Sequence, residues 1–159
     1  MTLHIALFQP DIAGNTGTIL RLAACLDVHV HIIEPAGFDL SDRNLRRAGM
    51  DYIALAHLTR HADWAHFLED QCNQRRRLWL FTTKATKPYT EVTYVAEDVL
   101  LFGRESAGAP AYIHEAVDGE VCIPMRGGGR SLNLAVSVAM ACGEALRQVR
   151  SLRAPSEMR

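Results

Sequence analysis

The chain has 159 residues and a mass of 17.6 kDa, enough for one domain with its own hydrophobic core and too little for two. Hydrophobic residues make up 48% and charged residues 22%, which excludes disordered, collagenous and disulfide-scaffold classes. The formal net charge of −1 excludes a uniformly basic nucleic-acid coat, although it allows a local basic patch. We predict a single domain over residues 1–150 and a frayed tail over residues 151–159.

The N-terminal segment and the cysteines indicate the cellular compartment. No apolar run approaches the roughly 18 residues of a membrane span, and the start of the chain lacks the cationic lead and small-residue cleavage site of a signal peptide. The cysteines are widely spaced and contain no C-x-x-C pair, as is typical of structural thiols (Cys25, Cys72, Cys122 and Cys142). We therefore expect a cytoplasmic protein without a cysteine metal site.

Short apolar runs alternate with helical patterns along the chain. The predicted strands are rich in β-branched or aromatic residues: Leu3–Phe8, Val28–Ile33, Tyr52–Ala56, Leu78–Thr82, Val99–Phe102 and Val121–Ile123. The predicted helices follow Gly14 with Asn15 as cap, run from Ser41 to Gly49, follow Asp63, and run from Ser131 to about Arg150. This alternation favours an α/β fold with a mainly parallel sheet.

The last predicted helix has apolar or small residues around most of its circumference, among them Val136, Val138 and Met140. A helix that is apolar all round is buried on more than one side. Two interpretations fit this pattern: a partner subunit covers part of the helix, or the helix is the central core helix of a monomer.

Three unusual loops directly follow predicted strands, at Gln9–Gly17, Phe102–Pro110 and Ile123–Asn133. Ligands bind in open α/β sheets at this edge, and the glycines in these loops allow a ligand to approach the backbone closely. Arg104 stands where a nucleophile elbow needs glycine, and Arg130 stands where a Walker A loop needs lysine. The loops therefore indicate an anion or nucleotide site outside those two classes.

Basic residues are the next candidates for function. Arg21 lies on an otherwise apolar helix, so it either pairs with a carboxylate or faces an anionic ligand. Arg43, Arg46 and Arg47 share one helix face, and a second cluster occupies residues 75–77. These clusters are either solvated surfaces or contacts to a phosphate backbone.

The histidines do not indicate a zinc enzyme. Their spacing matches neither H-x-E nor H-E-x-x-H, which disfavours zinc hydrolysis and deamination. His29 and His31 alternate along a strand, so we expect them to be packed or solvent-facing rather than metal ligands.

Together the loops resemble the three signature motifs of the SPOUT RNA methyltransferases, with the segments 15–21, 101–108 and 123–134 as the matching motifs. Within that superfamily the chain is most similar to the short enzymes that methylate the ribose 2′-hydroxyl of cytidine or uridine at position 34 of tRNA. The similarity extends to residues 31–38 and 45–52 and covers about residues 2–150.

The resemblance implies an α/β fold whose C-terminal part forms a trefoil knot, although true knots are very rare. It also implies S-adenosylmethionine as cofactor, S-adenosylhomocysteine as product, no metal, and a homodimer with the last helix in its interface. The implied RNA partner is the anticodon loop of tRNA, whose unpaired bases allow recognition by stacking.

The resemblance also assigns residues by position. Arg21 would lie beside the target ribose, Ser131 would close the pocket, and Asn133 would orient the loops; these three form the implied catalytic set. The implied cofactor-binding residues are Phe81, Thr82, Gly103, Glu105, Ile123, Ser131 and Leu132. The implied RNA-binding residues are Asn15, Arg43, Arg46 and Arg47.

Two alternatives remain open at this point. One is 2′-O-methylation of ribosomal RNA by the same fold, which the short chain without an added RNA-binding domain makes less favoured. The other is a non-catalytic RNA-binding or ribosome-assembly factor that keeps the cofactor pocket. Retention of Arg21 and of residues 131–133 argues against the second alternative.

Overall fold

The computed structural model describes residues 2–41, 43, 57–128 and 131–151. The helices are α1 (Ala13–Leu26), α2 (Trp64–Asn73), α3 (Ala111–Ala116) and α4 (Leu134–Ser151), with a short 3-10 helix at Tyr89–Glu91. The strands are β1 (His4–Phe8), β2 (His29–Ile33), β3 (Leu58–His61), β4 (Leu78–Phe81), β5 (Val99–Phe102) and β6 (Gly119–Val121).

The described strands form one six-stranded sheet in the order β3-β2-β1-β5-β4-β6, and all neighbouring pairs are parallel. The predicted α/β fold with a parallel sheet is therefore confirmed. Three predicted segments lie wholly or mostly outside the described residues: the strand Tyr52–Ala56, the helix from Ser41 to Gly49, and the tail from residue 152 to residue 159. The trefoil knot stays a prediction.

Helices cover both faces of the sheet, as a sheet that is buried on both sides requires. On one face, alternate residues such as Ile5 and Leu7 pack with the buried sides of α1 and α4. On the other face, Ala6 and Phe8 pack with Phe67 of α2 and Ile113 of α3. The alternation along β1 therefore assigns neighbouring residues to two separate cores.

The predicted cap of α1 is wrong. The helix begins at Ala13, its N-cap is Ile12 without a side-chain hydrogen bond, and Asn15 lies inside the first turn. The Asn15 side chain is instead bonded to groups of two other loops, as described below. By contrast, the predicted start of α2 is confirmed, because the Asp63 carboxylate accepts a hydrogen bond from the His66 amide at 2.9 Å.

The sequence reasoning misplaced β6 and missed three elements. The prediction of Val121–Ile123 overlaps the observed strand only at Val121, because the strand begins where Gly119 pairs with Trp79. A Cβ at Gly119 would lie 2.3 Å from the Trp79 ring, so glycine here serves packing rather than a turn. The missed elements are the short polar strand β3, the 3-10 helix at Tyr89–Glu91 and the six-residue helix α3.

Helix α4 begins at Leu134, three residues later than predicted, and the Asn133 side chain caps it by accepting from the Val136 amide at 3.2 Å. One side of the helix, including Val138 and Ala141, is buried against the sheet. The other side leaves Val136 48% and Met140 39% exposed. The interpretation of α4 as a central core helix is therefore wrong for the chain by itself.

The arginine cluster at residues 75–77 has a structural role. Arg77 makes a bidentate ion pair with the buried Asp98, with Nε–Oδ1 and Nη2–Oδ2 distances of 2.8 and 2.6 Å. Arg76 donates to Glu97 and Gln71. Ion pairing within the fold explains these two side chains, so they do not indicate a phosphate-contacting surface.

Glu97 joins the start of the chain to the rest of the fold. Its carboxylate accepts from the Thr2 amide at 2.8 Å, contacts His4 Nε2 at 3.0 Å, and accepts from Arg76 Nε at 3.3 Å. Burial alone would raise the pKa of Glu97, but these hydrogen bonds outweigh it and lower the pKa to about 2.

Candidate functional site

A cleft with a volume of about 510 Å³ opens at the carboxyl ends of β4, β5 and β6. The register aligns Phe81 with both Phe102 and Val121, so the loops that follow these strands meet at one edge of the sheet. The lining residues come from four segments: Ile12 and Asn15; 81–84; 102–109 with His114; and Ile123, Met125, 131–134 and Ser137.

Apolar side chains form part of the cleft wall. The Phe81 and Phe102 rings stack with centroids 4.8 Å apart and planes at 22°. Leu132 and Met125 are 39% and 38% exposed, so they offer apolar surface to a ligand. Apolar walls with a few polar groups are typical of pockets for small organic ligands and cofactors.

The loop after β5 is tight, and Gly103 makes this possible. The Arg104 and Gly108 backbones hydrogen-bond reciprocally, with N–O distances of 3.0 and 2.8 Å. A Cβ at Gly103 would lie 2.4 Å from the Gly108 carbonyl carbon and 2.5 Å from the Ala109 nitrogen. Because both obstacles are backbone atoms, only glycine fits here without moving the loop.

A hydrogen-bond network joins the three loops that the sequence singled out. Glu105 accepts from the Asp11 amide at 2.9 Å and from the Asn15 side-chain amide at 3.4 Å. Asn15 in turn accepts from the Asn133 side chain at 2.9 Å. Residues 118 positions apart thus meet across the cleft, and Asn133 both caps α4 and fixes Asn15.

Two neighbouring carboxyl groups give the network its charge. Burial raises the pKa of Glu105, and its hydrogen bond with the Asp11 carboxyl group raises it further. That same hydrogen bond, together with the one from the Ser106 hydroxyl, lowers the pKa of Asp11. Arg104 Nη2 lies 3.6 Å from Asp11 Oδ2, and its charge also lowers the pKa of Asp11.

Arg104 has a further polar atom directed into this region. Its Nε is buried and makes no hydrogen bond within the described part of the chain, although the residue lines the cleft. A buried donor without a partner is costly, so a polar ligand group beside Arg104 would be favourable.

The structure brings most of the candidate site residues together. All seven residues assigned to the cofactor line the cleft, and so do Asn15 and Asn133. Arg21 lies on the exposed side of α1, and neither it nor the exposed Arg43 lines the cleft. Arg46 and Arg47 lie outside the described residues.

Sequence reasoning identified Glu105, Asn15 and Asn133 but missed two polar residues of the same network. Asp11 and Arg104 have no predicted role, and Asn15 is predicted as a helix cap and an RNA contact rather than as a link between loops. The available signal was the density of polar residues in loops that follow strands, because such loops converge at one sheet edge.

Among the described helices, none combines the length and the apolar character that crossing a membrane requires.

Comparison with known proteins shows one family and several near relatives. Residues 2–143 match the model of the SpoU rRNA Methylase family. A protein of Beijerinckia indica named tRNA (cytidine(34)-2′-O)-methyltransferase is 55% identical over 148 residues, which cover 93% of this chain and 92% of the relative. A protein of Escherichia coli strain K12 with the same name is 44% identical over 149 residues, covering 92% and 94%.

Solved structures agree with this family assignment. A structure described as giving insights into the 2′-OH methylation of C/U34 on tRNA is 40% identical, with a TM-score of 0.88, and the match covers 94% of this chain and 97% of that one. An AdoMet-bound rRNA methyltransferase from Sinorhizobium meliloti is 26% identical, with a TM-score of 0.79, and covers 96% and 57%.

Proposed function

The chain belongs to the SpoU rRNA methylase family, and from this premise we propose that it transfers a methyl group from S-adenosylmethionine to the ribose 2′-hydroxyl of nucleotide 34 in tRNA. The observation that carries the proposal is the cleft at the carboxyl ends of β4, β5 and β6, which gathers the residues assigned to the cofactor. Relatives matched over more than nine-tenths of both chains are named for this reaction, which favours tRNA over ribosomal RNA.

The cleft suits S-adenosylmethionine in shape and in polarity. Phe81, Ile123 and Leu132 line the cleft and offer apolar surface for the adenine, and Phe102 stacks on Phe81. The buried Nε of Arg104 is a donor that a polar group of the cofactor would satisfy. When bound, S-adenosylmethionine supplies a methyl group on a positively charged sulfur, and its transfer requires no metal.

The chain must align the ribose hydroxyl with that methyl group and help the hydroxyl lose its proton. Glu105, Asn15 and Asn133 hold the cleft loops in place through their hydrogen bonds. Ser131 lines the cleft and would close it over the ligand. Arg21 would lower the pKa of the hydroxyl through its charge or position a phosphate, because a guanidinium stays protonated and does not serve as the base.

A second copy of the chain would bring Arg21 to the reaction centre. Helices α1 and α4 run side by side in the same direction, since Asn15 and Asn133 bond at one end while Arg150 donates to the Leu26 carbonyl at the other. Both helices cover the same face of the sheet, so the exposed side of α4 and Arg21 lie on the outer surface of one helical layer. We propose that this layer is the homodimer interface.

The RNA would bind along the dimer. Arg43 is exposed and, with Arg46 and Arg47, would neutralise phosphates of the anticodon loop beside the cleft. Binding of this kind weakens steeply as salt rises. A tRNA substrate also assigns the protein to the cytoplasm.

The test is methyl transfer in vitro. Purified protein and methyl-labelled S-adenosylmethionine are incubated with tRNA that lacks 2′-O-methylation, and the labelled nucleoside is mapped. Label at the ribose of position 34 supports the proposal. Label in ribosomal RNA alone would replace the substrate, and RNA binding without any transfer would favour a binding factor.

Arg21→Ala provides the matching variant. We expect it to lose turnover while it keeps cofactor affinity in calorimetry. Arg60→Ala is the control, because Arg60 lies on the edge strand β3, away from the cleft strands β4, β5 and β6, where it pairs with Glu34, and the variant should change neither quantity. Equal loss of turnover and cofactor affinity in Arg21→Ala would contradict the role assigned to Arg21.

A further inference from the structure

Three potential metal ligands from separate elements meet on the sheet face opposite α1 and α4. They are His31 on β2, His61 on β3 and Asp70 on α2, and their ligand atoms all lie within 4.8 Å of one another. The two histidines are 2% and 7% exposed. None of the three lines the cleft, so the methyl-transfer site leaves them unexplained.

The two histidines belong to a hydrogen-bonded chain that ends at a carboxylate. Glu97 Oε2 lies 3.0 Å from His4 Nε2, His4 Nδ1 lies 3.0 Å from His31 Nε2, and His31 Nδ1 lies 2.9 Å from His61 Nε2. Glu97 only accepts, so His4 donates to it from Nε2 and accepts from His31 at Nδ1. This assignment leaves His31 Nδ1 with a lone pair that is aimed at His61.

We propose that His31 Nδ1, His61 Nε2 and a carboxylate oxygen of Asp70 bind a divalent transition-metal ion, with zinc as the best-fitting one. A metal-binding histidine ordinarily donates its other N–H to a carboxylate or another acceptor, which fixes the tautomer. The hydrogen bonds from His31 to His4 and from His4 to Glu97 already hold His31 in the tautomer protonated at Nε2. His61 needs only to carry its proton on Nδ1 instead of Nε2.

The three ligand atoms lie within 4.8 Å of one another and must converge on the ion, and the two histidine nitrogens are already near the required spacing. Tetrahedral zinc with Zn–N bonds of about 2.0–2.1 Å separates two ligand nitrogens by about 3.3–3.4 Å. The nitrogens of His31 and His61 are 2.9 Å apart, so the pair must open by only about 0.4–0.5 Å. The rings are already side by side, with centroids 5.1 Å apart.

The surroundings support a bound cation. Gln71 is fully buried and donates to Asp70 Oδ2 at 2.8 Å, which orients the carboxylate. Phe67, also fully buried, packs edge-on against both histidine rings and lowers the local dielectric. Asp70 itself is only half-buried, so the ion can enter from its side.

The donor set selects the class of metal. Two imidazoles and one carboxylate suit zinc and its first-row neighbours, whereas magnesium and calcium prefer oxygen ligands. Three protein ligands leave a fourth position for water. The bound ion would clamp α2 onto β2 and β3. Sequence analysis predicts the opposite, that the histidines are not metal ligands, because ligands drawn from three separate elements have no recognisable spacing.

The test uses tag-free protein from which a chelator has removed bound metal. Calorimetric titration with zinc chloride measures the affinity and the number of ions bound, and thermal unfolding measures the stabilisation. We expect one zinc ion per chain, and at a hundredfold excess over Kd a rise in Tm of about 5–10 °C. Cobalt(II) should give the visible absorption of a tetrahedral nitrogen–oxygen site. Millimolar magnesium should not compete.

Asp70→Asn and His61→Gln should each weaken zinc binding at least tenfold. His66→Gln is the matched control, because His66 is exposed on the same helix and its side chain bonds to Asp63, not to a proposed metal ligand. A variant with serine at the exposed Cys25 and Cys72 removes the accessible thiols and should bind zinc as before.

Four results would overturn the proposal. They are Kd values weaker than about 100 µM, equal binding by Asp70→Asn and the unsubstituted chain, loss of binding in the cysteine variant, and cobalt absorption typical of thiolate ligands. None of them bears on methyl transfer, since the cleft lies at the other side of β1.

Discussion

The loop after β5 allows a sharp test of how the cleft is built, through the substitution Gly103→Ala. The added Cβ would lie 2.4 Å from the Gly108 carbonyl carbon and 2.5 Å from the Ala109 nitrogen. Backbone atoms cannot turn aside as the end of a flexible side chain can. The loop must therefore move away from Gly103 by about 1 Å to reach ordinary van der Waals contact.

The cost follows from what holds that loop. Overpacking of this kind costs about 1–3 kcal/mol, and the shift strains the two reciprocal hydrogen bonds between Arg104 and Gly108, worth about 0.5–1.5 kcal/mol each. We expect Gly103→Ala to lower the free energy of unfolding by about 2–4 kcal/mol. Because residues 102–109 line the cleft, cofactor affinity should fall at least tenfold.

Urea unfolding and calorimetric titration with S-adenosylhomocysteine measure the two effects. Gly14→Ala is the matched control: Gly14 lies in the first turn of α1, and a Cβ there meets nothing within 4 Å. Alanine should stabilise that turn by up to about 0.5–1 kcal/mol and leave cofactor affinity unchanged. If Gly103→Ala unfolds at the same urea concentration and binds the cofactor as before, the steric reasoning is wrong.

Further predictions concern the caps and one carboxylate. Asn133→Ala removes the cap of α4 and the bond to Asn15, so it should lose about 1 kcal/mol in urea unfolding and weaken cofactor binding. Asn133→Asp keeps the capping acceptor but not the donor to Asn15, and recovery of binding as well as stability would contradict the second role. Asp63→Ala removes the acceptor of the His66 amide and should lower the urea concentration at the midpoint of unfolding without altering cofactor affinity. Burial would raise the pKa of Glu97, but its hydrogen bonds lower the pKa to about 2. The ionised Glu97 therefore stabilises the folded state fully above about pH 4.5, and this contribution is lost as the pH falls towards 2. Glu97→Gln should therefore remove about 1 kcal/mol near neutral pH, a figure reduced for solvent screening, and should flatten the acid side of the stability profile measured by urea unfolding.

Local patterns predicted the elements whose residues are apolar and whose ends carry turn formers. The strands β1, β2, β4 and β5 were found because their apolar runs reflect burial on both sheet faces. The strand β3 was missed because its sequence, Leu58–His61, contains polar residues that the sheet buries or half-buries. His61 is 7% exposed, since its ring bonds to His31 and packs on Phe67.

The candidate site likewise has features that local sequence patterns predict and features that they do not. Glycines and polar residues after strands pointed to the correct loops, because parallel strands bring their carboxyl ends to one edge. The bonding partners could not be predicted, since Asn15 meets Glu105 and Asn133 only after the whole sheet has formed. A side chain read as a local cap was therefore a long-range link.

The cleft and the proposed zinc site lie in different halves of the sheet, so the experiment on one site does not depend on the outcome at the other. The cleft uses β4, β5 and β6, whereas the histidine cluster uses β2, β3 and α2, with β1 between them. Zinc at His31 and His61 would stabilise the half that does not line the cleft. If zinc raised Tm and also strengthened cofactor binding, the ion would have to act through β1, whose following loop reaches the cleft at Ile12. Equal cofactor affinity with and without zinc is the expected result, because the cleft loops are held by their own hydrogen bonds around Glu105.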